Sequence, residues 1–112
     1  MIEKLFINNF AIIDEIEISF KKGLTVITGE TGSGKSILLQ ALNVSLGGNT
    51  SKTMVRSDAE RAVVETTLNS KTYRRILNKS GRTKSYLNDE PLLENDFRDA
   101  CSSLVDFHGQ HE

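Results

Sequence analysis

Leu5, Ile7, Phe10, Ile12 and Ile13 make an apolar opening strand, with an irregularity expected at Asn8-Asn9. Ile16, Ile18 and Phe20 then alternate with Glu15, Glu17 and Ser19, which predicts a half-buried strand with one wet face. Lys21-Lys22-Gly23 is a tight connection, so Leu24-Thr25-Val26-Ile27-Thr28 is expected as a buried neighbouring strand. After Lys35, the residues Ile37, Leu38, Ala41, Leu42 and Ser45 recur at three and four positions, which predicts a helix. Gly47-Gly48 is its stop, and Asn49 to Lys52 is polar loop.

The second half is read the same way. Ala62 to Leu68 predicts a strand, and Tyr73 to Asn78 and Lys84 to Leu87 flank the hairpin signal Lys79-Ser80-Gly81-Arg82. Pro91 marks a break. Leu93, Phe97, Ala100, Cys101 and Leu104 fall on one helical face, with Asn95 or Asp96 near the start. Leu104 to Phe107 reads as a short final strand. The pattern is α/β with a substantial antiparallel portion.

Between the predicted strand at 24–28 and the predicted helix stands Gly29-Glu30-Thr31-Gly32-Ser33-Gly34-Lys35-Ser36. It fits the phosphate-loop pattern G-x-x-x-x-G-K-[ST] at every fixed position. The chemistry accounts for the residue types. Gly29, Gly32 and Gly34 let backbone N–H groups approach a polyanion, and the helix start adds unpaired N–H groups and a positive dipole end. Lys35 is expected to supply a point charge for the β- and γ-phosphates, and the Ser36 hydroxyl to bind the Mg²⁺ that accompanies the nucleotide.

Composition narrows the setting. A chain of 112 residues with 38% hydrophobic and 26% charged residues is expected to form one small soluble domain. No apolar run reaches the roughly 20 residues that cross a bilayer, and Met1-Ile2-Glu3-Lys4-Leu5 does not read as the charged-then-apolar start expected of a signal segment. The single cysteine, Cys101, fits a reduced cytoplasmic setting and a buried apolar role. Net charge is −1, yet Thr66 to Asn88 holds no Asp or Glu while Lys71, Arg74, Arg75, Lys79, Arg82 and Lys84 fall there. This stretch is either a solvated hairpin edge protected by charge or a contact to a phosphate backbone.

The opening Leu5 to Ile12, the run Thr25 to Ile37, Leu46-Gly47-Gly48, Met54-Val55-Arg56 and His108-Gly109-Gln110-His111 together resemble the RecN family of SMC-like ABC ATPases, which repair DNA double-strand breaks in bacteria. The resemblance covers most of the chain in order. It implies a P-loop NTPase fold: the N-terminal lobe of an ABC-type head, with a mixed sheet and an antiparallel portion, over residues 1–112. It further implies ATP and Mg²⁺ as cofactors, with Gly29, Glu30, Thr31, Gly32, Ser33, Gly34, Lys35, Ser36 and Ile37 around the nucleotide. Gln110 resembles the glutamine-loop residue that helps bind Mg²⁺ and senses the γ-phosphate, and Arg56 an arginine placed near the nucleotide; the other reading of Arg56 is a surface residue. Implied partners are the chain's own C-terminal lobe, a second head in a homodimer, and DNA, with no membrane, in a cytoplasmic, nucleoid-associated setting.

The sequence departs from that family in two places. The stretch between Leu68 and Tyr73 is short, and the chain stops just after Gln110 with no signature-like Ser-Gly-Gly run and no long heptad segment. The coiled coil and C-terminal lobe are therefore expected to be absent, and the chain is expected to be inactive alone. The alternative is a self-contained small P-loop NTPase or kinase that uses Asp106 as its acidic metal ligand. Only Leu104 and Val105 precede Asp106, short of the apolar run such an acid usually follows. A third reading is a folded remnant without nucleotide binding. His108 and His111 lack a third clustered ligand.

Overall fold

Alternating apolar residues, interrupted by short turns, give the described residues their strands, and two helices accompany them. A computed structural model describes residues 2–19 and 32–108. The strands are β1 (Ile2–Phe10), β2 (Ile13–Ser19), β3 (Arg61–Leu68), β4 (Lys71–Asn78), β5 (Thr83–Leu87) and β6 (Glu90–Leu92). The helices are α1 (Gly32–Ser45) and α2 (Glu94–His108). The described strands form one sheet in the order β2-β1-β3-β4-β5-β6, antiparallel at every pairing. The expected strand Leu24–Thr28 and its pairing lie outside the described residues.

The turns follow from residue chemistry. Asn69-Ser70 and Asn88-Asp89 adopt positive φ at both positions, 51° and 68° in the first and 51° and 69° in the second. These are the two-residue turns whose twist matches antiparallel strands, and Asn and Asp tolerate the left-handed region. The short Leu68–Tyr73 stretch is thus a tight hairpin. The Asn8-Asn9 irregularity is present as a φ of 53° at Asn9. The turn itself falls at Ala11-Ile12, with a φ of 56° at Ala11, so Phe10 pairs with Ile13 and bridges Val55. Ile12 is exposed there and Ile13 opens β2, so neither belongs to the opening strand.

One face of the sheet carries the core. Leu5, Ile7 and Phe10 of β1, Ala62 and Val64 of β3 and Leu77 of β4 bury against Val55 and against Ala41 and Val44 of α1. A second cluster joins Leu46, Leu68, Tyr73, Phe97 and Cys101, with the Tyr73 and Phe97 rings edge to face at 6.2 Å. Cys101 is buried, as its reading as a small apolar residue requires. Ser45 and Thr66 hydrogen-bond inside this layer and fix α1 on β3.

α1 ends as its glycines predict. Gly47 has a φ of 100°, its N–H donates to Val44 O at 3.2 Å, and Gly48 N–H donates to Asn43 O at 2.9 Å. That is the glycine-terminated double bond of a Schellman cap. Ser51 caps a 3-10 turn at Lys52–Met54 in the loop that follows.

Four further expectations need correction. Leu104–Phe107 is not a strand, because α2 continues through His108. No breaker precedes Gly109, so the three-and-four periodicity that starts at Phe97 carries on and outweighs the local Leu-Val pair. Leu93 is not on the buried face; it is 76% exposed, and its carbonyl accepts the first helical bond from Phe97 N–H at 2.9 Å. Leu93 is therefore the residue before the helix, and α2 starts at Glu94, with Asn95 and Asp96 in its first turn as expected. Pro91 sits inside edge strand β6, where a missing N–H is tolerated. Finally, Arg75 is not part of a basic surface, because its side chain is fully buried.

Candidate functional site

The phosphate-loop motif runs into a helix. Gly32, Ser33, Gly34, Lys35 and Ser36 form the start of α1, and no acidic residue occupies its first turn. A helix start has N–H groups without intrahelical partners and the positive end of the dipole, so this end suits phosphate. The residue types fit a phosphate–Mg²⁺ group: backbone N–H, the ammonium of Lys35 and the hydroxyls of Ser33 and Ser36. Gly29, Glu30, Thr31 and Gln110 lie outside the described residues. Ile37, next along α1, is partly buried against the core cluster that holds Val55.

Arg56 follows Val55, whose burial anchors it beside α1. Its N–H donates to Asn9 O at 2.8 Å, and its Nε donates to Asp58 Oδ1 at 2.9 Å. The side chain is one-third exposed and lines a polar cleft of about 440 Å³ with Asn9, Asp14, Asp58, Ala59, Glu60 and Arg61. Arg56 is thus held by backbone pairing to β1 and half neutralised by Asp58. The described contacts join it to Asn9 of β1 and to Asp58.

Asp106 lies in α2, so the buried strand end that would present an acid to a metal is absent there. Among the described residues no group of three or more His, Cys, Asp or Glu side chains could hold a metal ion.

The residue that sequence reading missed is Arg75. Its Nη1 donates to Val44 O and to Gly48 O, both at 2.9 Å. Its Nη2 donates to Glu94 Oε2 at 2.7 Å, its Nε donates to Ser85 Oγ at 3.1 Å, and its guanidinium lies 5.2 Å from the Phe97 ring centre. Burial lowers its pKa, and Glu94 opposes that shift. Burial pushes Glu94 upward, but Arg75 and Arg98 overcome this and hold it below the ordinary carboxylate value. A signal was available in the sequence: Arg75 shares strand parity with Tyr73 and Leu77, both apolar and both buried. Arg74 points the other way, to Glu65 at 3.6 Å and Asp89 at 2.7 Å, with Tyr86 5.0 Å from its guanidinium.

With the helix start and sheet in place, comparison with known proteins decides the family. A family model described as an AAA domain matches residues 4–105. The chain belongs to the AAA domain family. This AAA domain is 34% identical over 134 residues to the DNA repair protein RecN of Haemophilus influenzae, covering 99% of this chain and 24% of that protein. It is 37% identical over 133 residues to RecN of Halalkalibacterium halodurans, covering 100% of this chain and 24% of that protein. The chain thus spans about a quarter of the length of the curated relatives it matches. Among solved structures, the SMC head domain from Thermotoga maritima superposes with a TM-score of 0.72 at 29% identity, covering 88% of this chain and 41% of that one. The SmcHead bound to the C-winged helix domain of ScpA gives a TM-score of 0.80 at 25% identity, covering 91% and 40%. The AAA domain is RecN-like and has the fold of an SMC-type ATPase head. No described helix is long and apolar enough to cross a membrane.

Proposed function

We propose that residues 1–112 are the nucleotide-binding N-terminal lobe of an SMC-like DNA-repair ATPase head, with ATP and Mg²⁺ as its ligands. The observation that carries this reading is the complete phosphate-loop motif running into the acid-free start of α1. Gly29 to Ile37 surround the phosphates, Lys35 neutralises the β- and γ-phosphates, and Ser36 and Gln110 hold Mg²⁺. Arg56 stands beside the nucleotide. Bound Mg²⁺ supplies charge neutralisation on the phosphates, while the chain's own part is to cradle and orient them.

Hydrolysis waits on a C-terminal lobe and on a second head that faces the phosphate loop; DNA is the partner of the whole assembly. The similarity to RecN proteins, named for DNA repair, supports that assignment. The helical setting of Asp106 counts against a self-contained NTPase.

The test is steady-state Mg-ATP turnover by the purified chain, with Lys35→Ala as the blank. The half-head reading expects no turnover above the blank from a folded sample. Turnover that disappears in Lys35→Ala would mean the catalytic set is complete in this chain.

A further inference from the structure

Arg75 stands where three elements meet. It rises from β4, accepts no bond itself, and donates to both helices and to β5. At the end of α1 it reaches Val44 O, which also accepts from Gly47 N–H, and Gly48 O beyond the cap. At the start of α2 it meets Glu94, which also accepts from Arg98 Nε at 2.9 Å and from Ser85 Oγ at 3.4 Å. The charges suit both helix ends: a cation at the negative end of α1, and an anion at the positive end of α2. Phe97, in the first turn of α2, closes the guanidinium from the other side.

We infer that the Arg75–Glu94 pair is a joint that holds α1 and α2 as one body, which makes Arg75 a positioning residue for the nucleotide site. The inference rests on the phosphate-site reading above. The far end of α1 is the start that carries Lys35 and Ser36. The far end of α2 is His108, two positions before Gln110. Each helix is about 20 Å long, so a tilt of about 5° at the joint moves its far end by about 2 Å. Displacements of that size disable a phosphoryl-transfer site, which depends on positioning. A fork with five donors can satisfy both helix ends at once, whereas an ammonium acts as a single compact charge.

The test is amide hydrogen exchange on the chain, with and without Mg-ATP, for the parent, Glu94→Gln and Arg75→Lys. The Glu94 side chain is 41% exposed, so Glu94→Gln is expected to fold. Without nucleotide, the joint predicts that Glu94→Gln speeds opening of the last turn of α1 and of the first turn of α2 by the same factor, about threefold or more. Faster opening of α2 alone would overturn it. With Mg-ATP, the parent gains protection at the α1 start and along α2 together. Glu94→Gln and Arg75→Lys keep the first gain and lose most of the second; an unchanged α2 gain in both would overturn the joint. Absence of any gain at the α1 start in the parent would sink the phosphate-site reading instead, and the nucleotide-free arm decides the joint by itself.

Discussion

Arg74 and Arg75 are neighbours on β4 with opposite fates, and the Arg75→Met variant makes the difference measurable. Methionine keeps much of the length and packing over Phe97 but removes every donor. Four partners lose a bond: Val44 O, Gly48 O, Ser85 Oγ and Glu94. Removing one member of a buried ion pair costs about 3–5 kcal/mol. Here the lower part of that range applies, because the Glu94 side chain is 41% exposed and keeps Arg98. The expected loss is therefore about 3–4 kcal/mol, a large part of the roughly 5–15 kcal/mol typical of a domain. Arg74→Ala removes ion pairs to Glu65 and to Asp89, the latter with an 80% exposed side chain. The exposed Asp89 pair contributes at most about 1 kcal/mol, and the more buried but long Glu65 pair about as much again. Urea unfolding followed by circular dichroism separates the two, through the midpoint at constant slope. Equal losses for the two arginines, or a loss under about 1 kcal/mol for Arg75→Met, would refute the reasoning.

Two further outcomes follow from the same layer. Gly47→Ala should lower stability by about 1–2 kcal/mol, because Gly47 has a φ of 100° and an added Cβ would stand 3.3 Å from Cys101 Cβ; a thermal melt unchanged from the parent would contradict this. Burial pushes the Cys101 thiol from 9.0 up to about 11. The unfolded thiol ionises at the lower value, so stability should be lost as pH rises from about 9 toward 11. Cys101→Ser should flatten that alkaline limb in denaturation curves, and a disulfide reagent at pH 8 should label the thiol only after unfolding.

β2, β3, β4 and β5 were legible because each has a single wet face, whereas the three-residue edge strand β6 around Pro91 was not. Glu15, Glu17 and Ser19 alternate with Ile16 and Ile18, and β2 is found over them. The end of α1 was legible because only glycine adopts the φ of 100° at Gly47 without strain. Of the candidate site, the helix start that carries Lys35 and Ser36 was legible, since the motif and the periodicity after it are contiguous. The burial of Arg75 was legible in its strand parity with Tyr73 and Leu77, but its partners were not. Its role depends on carbonyls of α1 and a carboxylate of α2, distant in sequence and brought together only by the fold. Leu104 to Phe107 misled because a short apolar run has no length to tell helix from strand, and the helix before it decided the matter.

The central claim is that the start of α1 completes a phosphate site, and calorimetric titration of Mg-ATP into the folded chain tests it most directly. The account predicts saturable binding in the parent, weakened at least about tenfold, or roughly 1.4 kcal/mol, in Lys35→Ala. Equal affinity of the parent and a folded Lys35→Ala variant would contradict it.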